Sequence, residues 1–336
     1  MRITATTVIL ASATLLLTAC GGEFRHPDTS GCEISLTVKP FYKDLMAHDG
    51  KDANERAASL EQKYGYYFDT FCQGELRIGK RGDALFAQEF DRFLNTPEND
   101  EVIPICDSVF ATIKADDAIS DAFSCFRALF PQRPYPTDVY CHFSGFNDRM
   151  FVDSTFISFG IEHYLGSSCR FYEWLQIPYY ARLTRSTTFL VSDLVKAWIY
   201  CTMPETSGRE DVLTALIYQG KTLYCVHSCI PDIDEAVLFG MTTEQIQWCK
   251  TYEARMWAYL AEHKLLYSTA MLDRSKIVNE APFTSYFGNK SPGRAAIYCA
   301  YNIVRAYMDA HPGTSLGSLM DNPDAQEILQ GSHYNP

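Results

Sequence analysis

The second half of the chain carries apolar residues at helical spacing, each run preceded by a helix-start signal. Ser291 and Pro292 are typical of an N-cap followed by proline at the first helical position. The apolar residues that follow recur every three or four positions and are Ala296, Ile297, Ala300, Ile303, Val304, Tyr307 and Met308. Pro312 and Gly313 would end this helix. Such a stripe must be buried against other elements, so it predicts a predominantly helical body.

Three further helix starts are predicted in this half of the chain. Two fit the capping-box pattern, in which a Ser or Thr precedes a Glu or Gln by three residues, and one is an Asn-Pro pair. The pairs are Ser207 and Glu210, Thr242 and Gln245, and Asn322 and Pro323. Together with the preceding run they predict consecutive helices from about residue 190 to the end.

The first half combines helices with short strands. Residues 55–130 are predicted to be mainly helical, and Pro131 would end the last of these helices. Alternating apolar residues predict strands at residues 34–38, 139–143 and 154–159. The last two would form a hairpin or lie side by side. The fold class expected is therefore α+β, predominantly helical, with a small β-sheet supplied by the first half.

The N-terminus has the features of a lipoprotein signal peptide. Met1 and Arg2 provide the positive charge, an apolar and small run follows, and the sequence Leu17-Thr18-Ala19-Cys20 fits a lipobox. A plain secretory signal with a chance cysteine is the alternative. Acyl chains on Cys20 would hold the protein at a membrane, at about 0.8 kcal/mol per buried methylene. We expect a signal peptide over residues 1–19, a lipidated tether over 20–33 and a single globular domain over 34–336.

The net charge of the chain and the residue after the lipobox indicate where the protein is located and what it binds. The net charge of −12 would repel a phosphate backbone, which argues against nucleic acid as a partner. Residue 21 is Gly rather than Asp, so the best-known signal for retention at the inner membrane is absent. We therefore expect a bacterial protein anchored by lipid at the periplasmic face of the outer membrane, with other envelope proteins as partners.

The cysteines favour free thiols over a disulfide framework. The chain has 12 cysteines, and once Cys20 is assigned to lipid an odd number remains, which cannot all pair within the chain. Several lie inside apolar runs, as Cys125 and Cys299 do. A free cysteine behaves as a small buried hydrophobe, so most are expected to lie in the core.

Local catalytic motifs are missing from the sequence. There is no HExxH pair, nucleophile elbow, phosphate loop or GxGxxG, so a zinc peptidase site cannot be built on one helix. His142 lies in an apolar strand and is expected to be a hydrogen-bonded sheet residue. Glu162 and His163 are adjacent, and adjacent side chains on a helix diverge by about 100°, which makes them a poor acid–base pair. Cys225, His227 and Cys229 could form a metal clip on an irregular turn, whereas on a helix His227 would point away.

A series of segments, in a fixed order, resembles one family. The segments are 144–147, 160–166, 171–172, 178–180, 216–224, 257–259, 265–268, 281–284, 291–294, 303–308 and 324–336. They are similar to segments of the GldB-type gliding motility lipoproteins of Bacteroidota, and residues 216–224 resemble that family's IYEGKxLY segment. Each match is weak alone, but their order and spacing over residues 34–336 are specific.

This resemblance implies a zincin-like helical scaffold, distantly similar to zinc peptidases, whose metal site has degenerated. The helix that would carry HExxH lies near Asp193 and has no histidine. The family's glutamate on the second helix is Gln219 here, beside Lys221, and an amide is a poor zinc ligand. The resemblance therefore implies a degenerate cleft around Asp193, Gln219 and Lys221, with no catalytic residue, no metal and no cofactor other than the lipid on Cys20.

Three functions remain open at this point. The first is a non-enzymatic outer-membrane lipoprotein, an accessory or scaffold of a gliding motility or type IX secretion-like envelope machine. The second is a divergent periplasmic hydrolase or metallopeptidase, with His142, His163 or His227 and a carboxylate from Glu162 or Asp193. The third is a binder of a small ligand in the cleft around Gln219 and Lys221.

Overall fold

The structure is a computed structural model and describes residues 27–336. The predicted signal peptide, the lipobox, Cys20 and the first part of the tether lie outside the described residues.

Residues 27–163 form six helices and the strands of one small sheet. The helices are α1 (Phe41–Leu45), α2 (Ala53–Tyr64), α3 (Tyr66–Thr70), α4 (Phe86–Leu94), α5 (Asn99–Phe110) and α6 (Asp116–Leu129). A π-helical turn, Phe71–Glu75, continues α3, and a 3-10 turn, Ile161–His163, follows the sheet. The strands are β1 (Val38–Lys39), β2 (Asp138–His142), β3 (Met150–Val152) and β4 (Phe156–Gly160).

The rest of the described chain is helical. Its helices are α7 (Arg170–Trp174), α8 (Tyr179–Arg182), α9 (Leu190–Thr202), α10 (Val212–Cys229), α11 (Glu235–Phe239), α12 (Thr243–Glu262), α13 (Met271–Val278), α14 (Ala296–Ala310), α15 (Leu316–Asp321) and α16 (Ala325–Ser332). Short 3-10 turns lie at Thr187–Phe189, Leu265–Tyr267 and Ser285–Phe287. The prediction of a predominantly helical α+β fold, with a small sheet from the first half, is confirmed.

The sheet has the order β1-β2-β4-β3 and is mixed. β2 pairs in parallel with both β1 and β4, whereas β3 runs antiparallel to β4. The two strands predicted around residues 139–143 and 154–159 are therefore neighbours, but they do not form a hairpin. The hairpin joins β4 to β3, a three-residue strand that the sequence pattern did not reveal.

The strand predicted at residues 34–38 is much shorter in the structure. Only Val38 and Lys39 join the sheet. The backbone N–H groups of Ile34, Leu36 and Val38 instead donate to Ser124 Oγ at 2.8 Å, Ser120 Oγ at 2.9 Å and Asp116 Oδ1 at 3.1 Å. These three acceptors lie along one face of α6, so its side chains take the place of a neighbouring strand for this extended segment.

One predicted helix start is confirmed and three are displaced. Thr242 caps α12 with a complete capping box to Gln245. The helix predicted from Ser207 begins later, at α10, because Asp211 accepts from the backbone N–H of Thr214. The helices predicted from Ser291 and Asn322 also begin later. Asp324 caps α16, whereas α14 has no side-chain cap and follows a turn whose Ala295 N–H donates to Thr284 Oγ1.

The described cysteines are free thiols, as expected. The buried ones are Cys72, Cys106, Cys125, Cys141, Cys225, Cys229, Cys249 and Cys299. Cys32 and Cys169 are half-buried, and Cys201 is exposed.

Helix α10 is the central element of the second half. It packs against α6, α9, α13, α14, α15 and α16, and most of its residues are buried on all sides. Its closest neighbour is α14, and Gly220 lies at their contact. A Cβ atom on Gly220 would lie 2.4 Å from the backbone oxygen of Ala300, so only glycine permits this separation of the two helices. A glycine inside a helix costs about 1 kcal/mol in helix propensity, and here the close packing offsets that cost.

We expect Gly220→Ala to lower the free energy of unfolding by about 1–3 kcal/mol despite the better helix propensity of alanine, because the added methyl group meets backbone rather than a movable side chain. Chemical denaturation of the purified protein would measure this change. Gly313→Ala is the matched control, since a Cβ at Gly313 meets no atom within 4 Å. Equal stability of the two variants would show that α10 and α14 can move apart without a loss of unfolding free energy.

Candidate functional site

Four ionisable side chains meet at the carboxyl ends of the parallel strands β2 and β4. Glu75 comes from the π-helical turn after α3, His142 ends β2, and Glu162 and His163 lie in the 3-10 turn after β4. We call these four residues the Glu/His cluster. Each is at most 3% exposed. The carboxyl edge of a parallel sheet is where α/β proteins commonly place binding sites.

His142 is held in the sheet through Ser158. Its Nδ1 lies 2.6 Å from Ser158 Oγ, which also lies 2.7 Å from the hydroxyl of Tyr67 and 3.2 Å from the carbonyl of Tyr140. This shared hydroxyl fixes the orientation of the imidazole ring and turns its Nε2 toward Glu75. Nε2 has no hydrogen-bond partner and lies 3.8 Å from Glu75 Oε1. Burial lowers the pKa of His142 to about 3, so the ring is neutral.

One carboxylate oxygen of Glu162 accepts three hydrogen bonds, and the other accepts none from the described residues. Its Oε1 accepts from the N–H of Ser144 at 2.7 Å, from Ser144 Oγ at 3.0 Å and from the N–H of Phe146 at 3.2 Å. Gly145 and Phe146, both with positive φ, turn the backbone around this oxygen. Oε2 has no partner. Burial raises the pKa of Glu162 to about 7, against the opposing effect of these hydrogen bonds.

Glu75 repeats this arrangement, and Arg185 fixes the tautomer of His163. The N–H of Asp148 donates to Glu75 Oε1 at 2.9 Å, Oε2 has no partner, and burial raises the pKa of this carboxyl. Arg185 donates to His163 Nδ1, so the ring proton lies on Nε2, which also lacks a partner. Burial, with the charge of Arg185, lowers the pKa of His163 well below its ordinary value.

The space between these groups depends on Gly160. A Cβ atom there would lie 2.9 Å from His163 Cδ2, 3.1 Å from Glu162 Oε2 and 3.2 Å from His142 Nε2. The cluster therefore gathers two imidazole rings and two carboxyls of raised pKa around one small space. Within residues 27–336, no group of three or more His, Cys, Asp or Glu side chains is arranged to hold a metal ion.

The structure brings together three of the residues named as hydrolase candidates and separates the others. His142, Glu162 and His163 meet in the cluster, so the expectation that Glu162 and His163 would diverge is wrong: the 3-10 turn, unlike a longer α-helix, aims both side chains into one space. His227 lies on α10, where its Nδ1 is 2.6 Å from the hydroxyl of Tyr301. Cys225, His227 and Cys229 share a regular helix, so no irregular turn gathers them into a metal clip.

The three residues of the predicted degenerate cleft have separate surroundings. Asp193 pairs with Arg149 and accepts from the hydroxyl of Tyr164 at 3.1 Å. Gln219 Oε1 accepts from the Tyr200 hydroxyl at 2.7 Å, on the surface.

Lys221, only 6% exposed, donates to the carbonyl of Asn322, and burial lowers its pKa to about 8. Gln219 and Lys221 are two residues apart on α10, so their side chains leave the helix in nearly opposite directions. These three side chains therefore have separate hydrogen-bond partners, and a cleft around them and the absence of a catalytic residue stay predictions.

Sequence reasoning missed Glu75. No motif surrounds Glu75 in the sequence, and several of the residues before it are aromatic. Its place in the Glu/His cluster becomes visible only in the structure, where the turn after β2 packs on the π-helical turn. Asn147 Nδ2 donates to the Glu75 carbonyl at 3.1 Å and Asp148 binds its carboxyl, so two segments far apart in sequence define this position.

Comparison with known proteins identifies the family of the chain. A family model described as gliding motility protein GldB matches residues 23–336. The chain belongs to the GldB family. No curated protein and no solved structure matches it. The family match confirms the resemblance noted in the sequence and implies a gliding motility lipoprotein of the cell envelope, whereas the zincin-like ancestry remains a prediction.

The pH dependence of stability tests the protonation of Glu162 in this GldB protein. Its folded-state pKa of about 7 lies above the ordinary value of 4.5, so between these values the native state binds a proton that the unfolded state has lost. This contribution to stability is complete below pH 4.5 and falls as the pH rises to 7. Glutamine does not titrate, so we expect the Glu162→Gln variant to lack this pH-dependent loss of stability. Between pH 4.5 and 7 the unfolding free energy of wild type should therefore fall by about 3 kcal/mol relative to that of the variant.

Urea denaturation at a series of pH values would measure that difference. Glu75, His142 and His163 are present in both proteins, so their own titration enters both curves. Glu210→Gln is the matched control, because Glu210 is exposed and its variant should follow wild type at every pH. Parallel curves for Glu162→Gln and wild type would show that Glu162 is already ionised in the native protein.

Proposed function

We propose that the protein is a lipid-anchored accessory or scaffold of a gliding motility or type IX secretion-like envelope machine. It acts without catalysis, facing the periplasm from the outer membrane. The observation that carries this proposal is the GldB family match over residues 23–336. The lipobox ending at Cys20 supplies the anchor, and Gly21 favours the outer membrane. No helix among the described residues is long and apolar enough to cross a membrane.

The burial of the Glu/His cluster supports a non-enzymatic role. His142 and Glu162 are completely buried, so a substrate cannot reach them without movement of β2 and the turn around Glu162.

The alternative of a divergent metallopeptidase does not fit these residues. Arg185 donates to His163 Nδ1, which leaves a proton on the nitrogen that a metal would need. Stoichiometric zinc in the purified protein, lost on His142→Ala, would overturn the non-enzymatic proposal.

Deletion of the gene in its native host tests the role in the envelope machine. We expect secretion through the outer membrane, and gliding where the host glides, to be impaired and to be restored by the wild-type gene. Normal secretion and normal movement in the deletion strain would contradict the proposal.

Replacing Cys20 with Ala tests the anchor. The variant lacks the sulfur that carries the lipid, so we expect the protein to leave the outer-membrane fraction and to lose metabolic labelling with a fatty acid. Cys32→Ala is the matched control, since Cys32 is the next cysteine along the chain and is a free, half-buried thiol. A Cys20→Ala protein that stays in the membrane fraction would show that another feature anchors it.

A further inference from the structure

A small cleft lies between α8, the end of α11 and the loop before α14. Its wall includes Tyr180, Thr184, Gly240, Gln245, Glu280 and Arg294, and we call it the Arg294 cleft. The cavity measures about 40 Å³. About 10–15 Å³ on this measure holds one water, so the cleft has room for the oxygens of one small polar group.

Arg294 is presented to this cleft by a strained backbone. It has φ of 57°, in the left-handed region that non-glycine residues seldom adopt. Its Nη2 atom lies 3.5 Å from the position of a Cβ on Gly240, which itself has φ of 64°. The half-buried guanidinium makes no hydrogen bond or ion pair with any residue of the described chain, although Glu280 lines the same cleft. Strain of this kind is characteristic of functional positions.

Lys196 is a second cation that lacks an anionic partner. It projects from α9, and its Nζ has only the carbonyl of Leu238 at 3.5 Å, two residues before Gly240. Burial lowers the pKa of Lys196 to about 8. The charges of Arg294 and Arg149 lower it further, while Asp193 and Glu280 oppose them. An amine in this position is stabilised as a cation by any additional negative charge nearby.

Two further arginines, Arg149 and Arg185, lie near the cleft, and each has one buried atom without a partner. Arg149 pairs with Asp193 and donates to the Thr184 carbonyl at 2.6 Å, yet its Nε atom is buried without a partner. The Nε atom of Arg185 is also buried without a partner. The pKa of Lys196 responds to Arg294, Arg149, Asp193 and Glu280, so these charges lie near one another, although of these groups only Arg294 and Glu280 line the cleft itself. Buried charges are normally paired, yet within the described chain neither the Arg294 guanidinium nor the Lys196 ammonium forms an ion pair.

We propose that the Arg294 cleft binds one oxyanion group, a carboxylate or a phosphate, with Arg294 as its hydrogen-bonding ligand and Lys196 as a neighbouring cation. The planar guanidinium can donate two parallel hydrogen bonds to either kind of group, and the ammonium supplies a point charge. The hydroxyl of Thr184 and the amide of Gln245 lie on the same wall. This site does not depend on the function proposed above.

Calorimetric titration of the lipidated protein in neutral detergent, at constant ionic strength, tests the site. The probes are inorganic phosphate and acetate, and their comparison distinguishes a phosphate site from a carboxylate site. We expect one of them to bind in a saturable way. Arg294→Gln should weaken binding by roughly tenfold or more, because it removes a charged hydrogen-bond donor worth about 1.5–3 kcal/mol. Arg92→Ala, at an exposed position on α4, should leave the affinity unchanged.

Proton uptake provides a second, independent readout. At pH 8 Lys196 is about half protonated, and a bound anion raises its pKa. Binding should therefore take up protons, which the dependence of the measured heat on buffer ionisation reveals. Lys196→Met should abolish this uptake and weaken binding while the circular dichroism spectrum stays native. Absence of saturable binding by wild type, or binding that both variants retain at full strength, would overturn the proposal.

Discussion

The parallel pairing of β2 with β4 is the interaction on which the polar centre of this protein depends. Its register places Tyr140 opposite Ser158 and His142 opposite Gly160. Ser158 can therefore bind both the Tyr140 carbonyl and the His142 ring, and the absence of a side chain at Gly160 admits Glu162 and His163. A shift of one residue would turn His142 to the other face of the sheet and dissolve the cluster.

Burial, more than neighbouring charge, decides the protonation of this centre. Three hydrogen bonds to Glu162 Oε1 favour the ionised form, yet burial raises the pKa of the carboxyl to about 7. His142 is kept neutral by the same cause. The Arg294 cleft is different, because arginine stays charged at any ordinary pH and cannot be neutralised by losing its proton. Arg294 therefore keeps its charge in the cleft, and the oxyanion proposed above would supply the partner that it lacks.

The sequence predicted the secondary-structure elements better than it predicted the tertiary contacts between them. Helical stripes, the capping box at Thr242 and the strand at 139–143 were local signals and were correct within a few residues. The start of α14 was misplaced because the residues before it bond to Thr284, in a loop that returns to the helix, and form a turn instead of a helical first turn. The Glu/His cluster and the Arg294 cleft join segments more than 60 residues apart, and no spacing rule specifies such contacts. The cleft expected at Gln219 came from family resemblance and stays a prediction.

The two polar centres are physically connected, and this connection constrains how they respond to each other. Arg185 donates to His163 in the cluster, and Arg149 joins Asp193 to Thr184 at the cleft. Both arginines also lower the pKa of His163. Because His163 Nδ1 accepts from Arg185, His163 could gain a proton there only by breaking this bond. The chain thus places the Glu/His cluster within electrostatic reach of Arg149 and Arg185, which lie between it and the Arg294 cleft.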